Sequence, residues 1–316
     1  MVQDPTTDRQ TRERLSLVLE VRNFAVERLR LPDGDSYLEY ANLDRDYAVW
    51  NVVATPEFSV SPRTWCFPVA GCVSYRGYFN EASARSAAAR YARRGDDVLV
   101  GGVAAYSTLG FFSDPVLSTM LEWPELRLVR TIFHELAHEQ LYVQDDSKFN
   151  ESFASVVGEE GVRLWLKSRG RDEEIGAFES KLRREDEFVA LLADARRQLA
   201  GLYAGDLPGD RMRVEKQRVF GRLKFDYERL RISWHGYRGF DRWFDRTLNN
   251  AHLAAVATYH DCLPGLRREL ALAGSLPAFY ERAARFAEVS RNERREKLCR
   301  PRPQARRSDH RAMHAR

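Results

Sequence analysis

The chain has 316 residues, 44% of them apolar and 30% charged, with a net charge of +4. This composition excludes a low-complexity or disordered chain and suffices to bury a core, as one large domain or two small ones. No run of about 18 apolar residues occurs, which excludes a transmembrane helix, and no motif or basic–aromatic interleaving points to nucleic acid.

The polar start Met1-Val2-Gln3-Asp4-Pro5 carries no signal peptide. Leu15, Val18, Leu19, Arg22, Phe24 and Val26 recur near helical spacing and predict an amphipathic helix from about Thr7 to Arg30, ended by Pro32-Asp33-Gly34-Asp35. β-Branched and aromatic residues then predict strands at 47–54, 63–67, 73–79 and 97–103, with an Ala-rich helix at 81–94. Cys66 and Cys72 flank Pro68 and Gly71, a spacing that fits either a disulfide in an oxidising compartment or two reduced thiols in a core strand. Cys262 and Cys299 read as isolated.

After Pro115 the pattern turns helical, with segments near 115–121, 125–142, 150–167, 173–204, 209–234, 241–250, 250–259, 264–273 and 276–289. The two longest predict an antiparallel hairpin. Arginines 300, 302, 306, 307, 311 and 316 gather at the end among Pro301, Pro303 and polar residues, which predicts a solvated tail. The chain thus divides into an N-terminal helix (1–35), a sheet plus helix pair (36–167), a helical subdomain (168–290) and a basic disordered tail (291–316). The fold class is α+β, a small N-terminal sheet followed by a mostly helical C-terminal part.

The segment Thr131-Ile132-Phe133-His134-Glu135-Leu136-Ala137-His138-Glu139-Gln140 contains His-Glu-x-x-His within a helix-favouring run. Four residues apart, His134 and His138 share one helix face. Two imidazoles so placed can hold one Zn²⁺, with Glu135 beside them to accept a proton from its water. Apolar neighbours bury this helix, and two stacked His in a core need a partner such as a metal. The bland alternative is a solvated His pair on an amphipathic helix.

A catalytic zinc needs a third protein ligand. The His-x-x-Gly-x-x-His continuation is absent, since Leu141 and Gln144 occupy those places. Glu151, in Asn150-Glu151-Ser152-Phe153-Ala154, is the candidate, with Asn150 capping a second helix. Asp145 and Asp146 are expected to be solvated or capping, and Glu159 and Glu160 to lie at the surface or behind the ligands. Asn-Glu-Ser-Phe-Ala after His-Glu-x-x-His resembles the Asn-Glu-x-x-Ala signature of the gluzincin peptidases, in which that Glu is the third zinc ligand. Only twelve residues separate His138 from Glu151, fewer than in the larger gluzincins.

A wider resemblance covers roughly Leu15 to Phe286. Residues 65–79 (Trp65-Cys66-Phe67 through Gly77-Tyr78-Phe79), Ala105-Tyr106-Ser107-Thr108-Leu109-Gly110 and Leu248-Asn249-Asn250-Ala251-His252-Leu253 resemble signatures of the bacterial predicted-aminopeptidase family. The resemblance implies a zincin-like fold and zinc-dependent cleavage of peptides, in which Glu135 is the general base and His134, His138 and Glu151 hold the metal. Tyr106, Tyr142, His252, Tyr259 and His260 are candidates to stabilise the oxyanion, His252 and Tyr259 first because their spacing puts them on one helix face. The segment from Ala105 to Phe112 is the expected substrate edge, with Tyr106, Gly110 and Asn250 contacting peptide.

Glu159, Glu160 and Asp114 are candidate acceptors for a substrate α-ammonium. The Gly-x-Met-x-Asn element of the larger aminopeptidases is missing, so their amine-binding glutamate does not transfer. Relatives often carry a lipoprotein signal, a membrane tether absent from this chain. The expected location is therefore the periplasm or cell envelope if such a signal was trimmed, and otherwise the cytoplasm. The alternatives are an endopeptidase or cell-wall peptide hydrolase, and a binding protein with a vestigial metal site. Glu135 argues against the last, because a structural site has no use for a base.

Overall fold

The computed structural model describes residues 2, 4, 6–67, 71–105 and 113–299, except the side chains of Thr258 and Tyr259. This part of the chain is α+β, with short strands confined to its first half and helices beyond.

Helix α1 (Arg9–Glu27) starts where Asp8 accepts a hydrogen bond from Thr11 N at 2.9 Å. Leu15, Val18, Val21 and Ala25 follow at helical spacing and are buried. The main sheet has β2 (Val49–Thr55) at its centre, antiparallel to both β5 (Arg76–Tyr78) and β6 (Asp97–Val103). Adjacent residues of β2 point to opposite faces. Val52 meets Ala84 and Ala88 of α2 (Glu81–Ala92), while Val53 meets Ala251 and Ala254 of α9 (Asn250–His260). Alanines let both helices lie close, so the short sheet is covered on both faces. Two smaller ladders flank it: β1 (Tyr40–Ala41) runs parallel to β7 (Val116–Leu117), and β3 (Trp65–Phe67) pairs with β4 (Gly71–Val73).

The main core lies around α4 (Glu125–Gln140) and α5 (Ser147–Ser168). Leu128, Val129, Ile132, Phe133 and Leu136 of α4 are buried. Glycines on α5 set the approach. A Cβ on Gly161 would lie 2.5 Å from the Phe133 ring, and one on Gly158 would lie 2.9 Å from Arg130 O and 3.6 Å from His134 Cβ. Beyond them, α6 (Asp172–Tyr203) and α7 (Gly209–Ser233) form a hairpin. With α8 (Asp241–Phe244) and α9 they build a second cluster around Phe188, Leu199, Phe220 and Tyr227. The short α3 (Ser118–Leu121), then α10 (Leu263–Ala273), α11 (Leu276–Glu288) and α12 (Arg291–Leu298) complete the helices.

Several expectations are corrected. Cys262 and Cys299 are not isolated but bonded to each other, and Cys66 is bonded to Cys72 across the β3–β4 ladder. Residues 291–298, expected in a disordered tail, form α12. Arg294 holds that helix through a 2.8 Å bond to buried Asp146, and the same guanidinium donates to Phe286 O and Val289 O. Asp146 is thus not solvated; it stands at the N-cap position of α5, but its side chain goes to Arg294 rather than to the helix's N–H groups. Helix α5 begins at Ser147, three residues before Asn150. Asn150 closes the α4–α5 turn instead, accepting from Val143 N at 2.9 Å and donating to Val143 O at 2.8 Å. The expected helix at 241–250 stops at Phe244.

The Cys262–Cys299 bond spans 37 residues and Cys66–Cys72 spans 6. Loop entropy then predicts that replacing both cysteines of the long pair by serine lowers unfolding free energy by about 4 kcal/mol, and of the short pair by about 2 kcal/mol. Urea unfolding of the two double variants measures the difference, and the long pair should cost more.

Candidate metal centre

Helix α4 presents His134 and His138 one turn apart, ring centroids 4.9 Å apart and nearly perpendicular. Glu151, early in α5, completes the set. Its Oε2 lies 3.2 Å from His134 Nε2 and 3.9 Å from His138 Nε2. The donor atoms all fall within 4.8 Å of one another. In a zinc tetrahedron, bonds of about 2.0–2.2 Å put neighbouring donors about 3.3 Å apart. The 3.2 Å pair already matches that spacing and the others are wider, so the three side chains form a group that could close on one metal ion. Two imidazoles and one carboxylate, with no thiolate, are the donors of a site that leaves one position open.

None of the rival carboxylates joins the cluster. Asp145 Oδ1 accepts from Cys72 N at 2.7 Å, and Asp146 is taken by Arg294. Glu159 is not a surface residue: it is buried between Arg267 at 2.8 Å and Arg130 at 3.2 Å. Glu160 pairs with Arg163 at 3.2 Å.

Residues 1–298 match the family described as "Putative aminopeptidase". The chain belongs to that family. The family name points to peptide hydrolysis as the class of activity. No curated protein and no solved structure matches the chain.

In this family member the three donors shift one another's titration. Burial pulls His134 down, but its hydrogen bond to Glu151 and the charges of Glu135 and Glu151 outweigh that, and its pKa is raised. Burial drives His138 down to about 4, against the pull of Glu151. Burial pushes Glu151 up, yet the His134 hydrogen bond and the two imidazoles prevail and hold it low.

Two phenols missed by the sequence reading stand beside these carboxylates. Tyr75, between β4 and β5, is pushed up by burial, then by Glu151, Tyr142 and Glu135. Tyr37 is pushed up by burial, then by Glu135, Asp114 and Glu139. Tyr142, which the sequence did nominate, is raised by burial and by Glu151 and Asp145. A signal for Tyr75 existed, because it falls within the segment of residues 65–79 that resembles a family signature. Tyr37 has no comparable sequence signal; its φ of +64° emerges only from the fold.

The other nominated residues lie in different surroundings. His252 forms a capping box with Asn249, its Nδ1 2.8 Å from Asn249 Oδ1 and its ring edge-on to Trp243; burial lowers it to about 4. Asn250 is fully buried, donating its N–H to Asp97 and its amide to Glu57 O while accepting from Tyr203. His260 is lowered by burial and Arg130, with Glu185, Asp186 and Glu159 opposing. Tyr259 belongs to α9, but its side chain lies outside the described residues, as do Tyr106, Gly110 and the rest of 106–112.

Of the two imidazoles, His134 has the raised pKa and His138 the lowered one, so His134 is the donor whose proton a metal displaces first as the pH falls. Affinity of the metal-free protein for zinc should therefore be flat above the raised pKa of His134. Below that pKa it should fall about tenfold per pH unit, a one-proton slope that His138 leaves unchanged down to about pH 4. Competitive titration with a chelator of known affinity from pH 5 to 9 checks this; a two-proton slope near pH 6 would contradict it.

Proposed function

We propose that the chain is a zinc-dependent aminopeptidase acting on short peptides. The carrying observation is the convergence of His134, His138 and Glu151 from adjacent helices, with Glu135 on the same helix as the His pair. The order of a small sheet, a His-bearing helix and a Glu-bearing helix agrees with the zincin plan.

Zinc held by His134, His138 and Glu151 would act as a Lewis acid toward the scissile carbonyl and acidify a water. Glu135 is the base that removes a proton from the attacking water, and the acid that returns it to the departing amine. Tyr75 keeps its proton at neutral pH, because burial and then the Glu151 and Glu135 carboxylates raise its pKa. We assign it as the O–H donor for the carbonyl oxygen as negative charge develops there, because it is the phenol on which both Glu151 and Glu135 act.

Glu159 and Glu160, bound to arginines, are poor acceptors for a substrate α-ammonium. Glu139 suits that role better: it acts on Tyr37 together with Glu135, and its Oε2 lies against Gly34, 2.9 Å from where a Cβ would stand. A carboxylate group at that end favours a substrate with a free amino terminus. Two disulfides agree with an oxidising location such as the cell envelope.

The test compares wild type with Glu135→Gln and Tyr75→Phe on a mixed pool of short peptides. Glu135→Gln should keep its zinc and lose about 10²–10⁴-fold in kcat. Tyr75→Phe should keep its zinc and lose about 10²–10³-fold, mostly in kcat. Acetylating the substrate amino group should abolish cleavage. Full activity in Glu135→Gln would sink the proposal, and undiminished cleavage of acetylated peptides would make the enzyme an endopeptidase.

A further inference from the structure

One arginine lies on the apolar face of α1. Arg22 follows Val18 by one turn, precedes Ala25 on the same face, and is only 7% exposed. A buried guanidinium needs acceptors for its fork of N–H groups. Arg22 directs that fork at one loop, residues 33–36, between α1 and β1. Its Nε donates to Ser36 O at 3.0 Å, and its Nη2 donates to Gly34 O and, at 2.8 Å, to Asp33 Oδ1. Residue 114 ties the same loop from the other side. Asp114 N donates to Ser36 Oγ at 3.2 Å, and Tyr37 N donates to Asp114 O at 2.7 Å. Tyr37 is buried with a φ of +64°, a conformation that a bulky residue keeps only where its surroundings impose it.

The loop so fixed stands against Glu139. A Cβ on Gly34 would lie 2.9 Å from Glu139 Oε2, and within 4 Å it would meet only that oxygen and Glu139 Cδ. Gly34 does not have a positive φ, so it is the missing Cβ and not the backbone that matters there. Glu139 lies four residues after Glu135, one turn on along the same face of α4. Among the described residues, no hydrogen bond or ion pair engages Glu139. Glu159 and Glu160, by contrast, are held by arginines. The last turn of α4 also leaves backbone carbonyls that favour a cation. A partly buried carboxylate with no protein cation, one turn from the proposed base, is open to a cation from the substrate.

We propose, resting on the aminopeptidase reading, that Arg22 and Gly34 are positioning residues for the substrate's amino end. Arg22 clamps the 33–36 loop beside α4, and Gly34, lacking a Cβ, leaves the Glu139 carboxylate the place from which it receives the α-ammonium. Neither residue touches the reacting atoms; both act through Glu139.

The test is a cycle of Gly34→Ala and Glu139→Gln in the full zinc-loaded chain, assayed on short peptides with free and with acetylated amino ends. The methyl of Gly34→Ala meets only the far end of a flexible side chain, so melting and zinc content should be unchanged. KM for free-amine peptides should rise about tenfold, the loss of one charge-assisted hydrogen bond, with kcat altered less than about twofold. In the Glu139→Gln background the same substitution should change KM less than about twofold, because the group it displaces is already neutral. Arg22→Lys, which keeps the charge but loses the fork, should raise KM in the same Glu139-dependent way. Gly34→Ala decides alone if Arg22→Lys proves unstable. A wild type that requires the free amine, with KM unmoved by Gly34→Ala or raised equally in both backgrounds, would overturn the positioning role and leave the aminopeptidase reading standing. Undiminished cleavage of acetylated peptides by the wild type would overturn both.

Discussion

The close approach of α5 to α4 is the constraint on which the site depends. Gly158 and Gly161 remove the side chains that would hold the helices apart, and a Cβ at Gly158 would press on the backbone of Arg130 one turn before His134. That approach brings Glu151 within 3.2 Å of His134 across only twelve intervening residues after His138. The consequence is a partly buried His134–Glu151 contact, and such a contact is weak evidence for stability because desolvation offsets the attraction. Its arrangement makes better sense as a ligand set than as a stabilising bridge.

The turn between the two helices is fixed from several directions. Asn150 clips it from within through both polar groups of Val143. From one side the β3–β4 ladder docks where Cys72 N donates to Asp145, and Gly71 allows this with a φ of +70° and no Cβ. From the other, Arg294 of α12 reaches Asp146, and Lys148 pairs with Asp261 next to the Cys262–Cys299 bond. The hairpin closed by Cys66–Cys72 and the segment beside Cys262–Cys299 therefore both contact the region that joins the ligand helices. Removing one partner of the buried Asp146–Arg294 pair would strand a charge and cost several kcal/mol.

The donor trio was legible in the sequence because it rests on local rules. A four-residue spacing fixes two His on one face, and Asn-Glu-Ser-Phe-Ala follows at short range. The α+β class was legible for the same reason, from a change of hydrophobic period near Pro115. What escaped the reading depends on contacts between distant segments. The Cys262–Cys299 pair exists because α12 returns to the start of α10. The arginines that hold Glu159 and Asp146, Arg267 and Arg294, come from far along the chain, and no spacing in the sequence pairs them. Tyr75 comes under the influence of Glu151 and Glu135 only through the fold, packed against Val53 of β2 and Ala251 and Ala254 of α9, which no spacing in the sequence announces.

The central claim is that His134, His138 and Glu151 together hold one zinc. X-ray absorption at the zinc edge of the purified protein, alongside Glu151→Ala, addresses it most directly. The account predicts one zinc per chain with only nitrogen and oxygen neighbours at about 2.0–2.2 Å, two of them imidazoles, and a marked loss of zinc in the variant. Sulfur neighbours at about 2.3 Å, no stoichiometric zinc, or an unchanged spectrum in Glu151→Ala would contradict it.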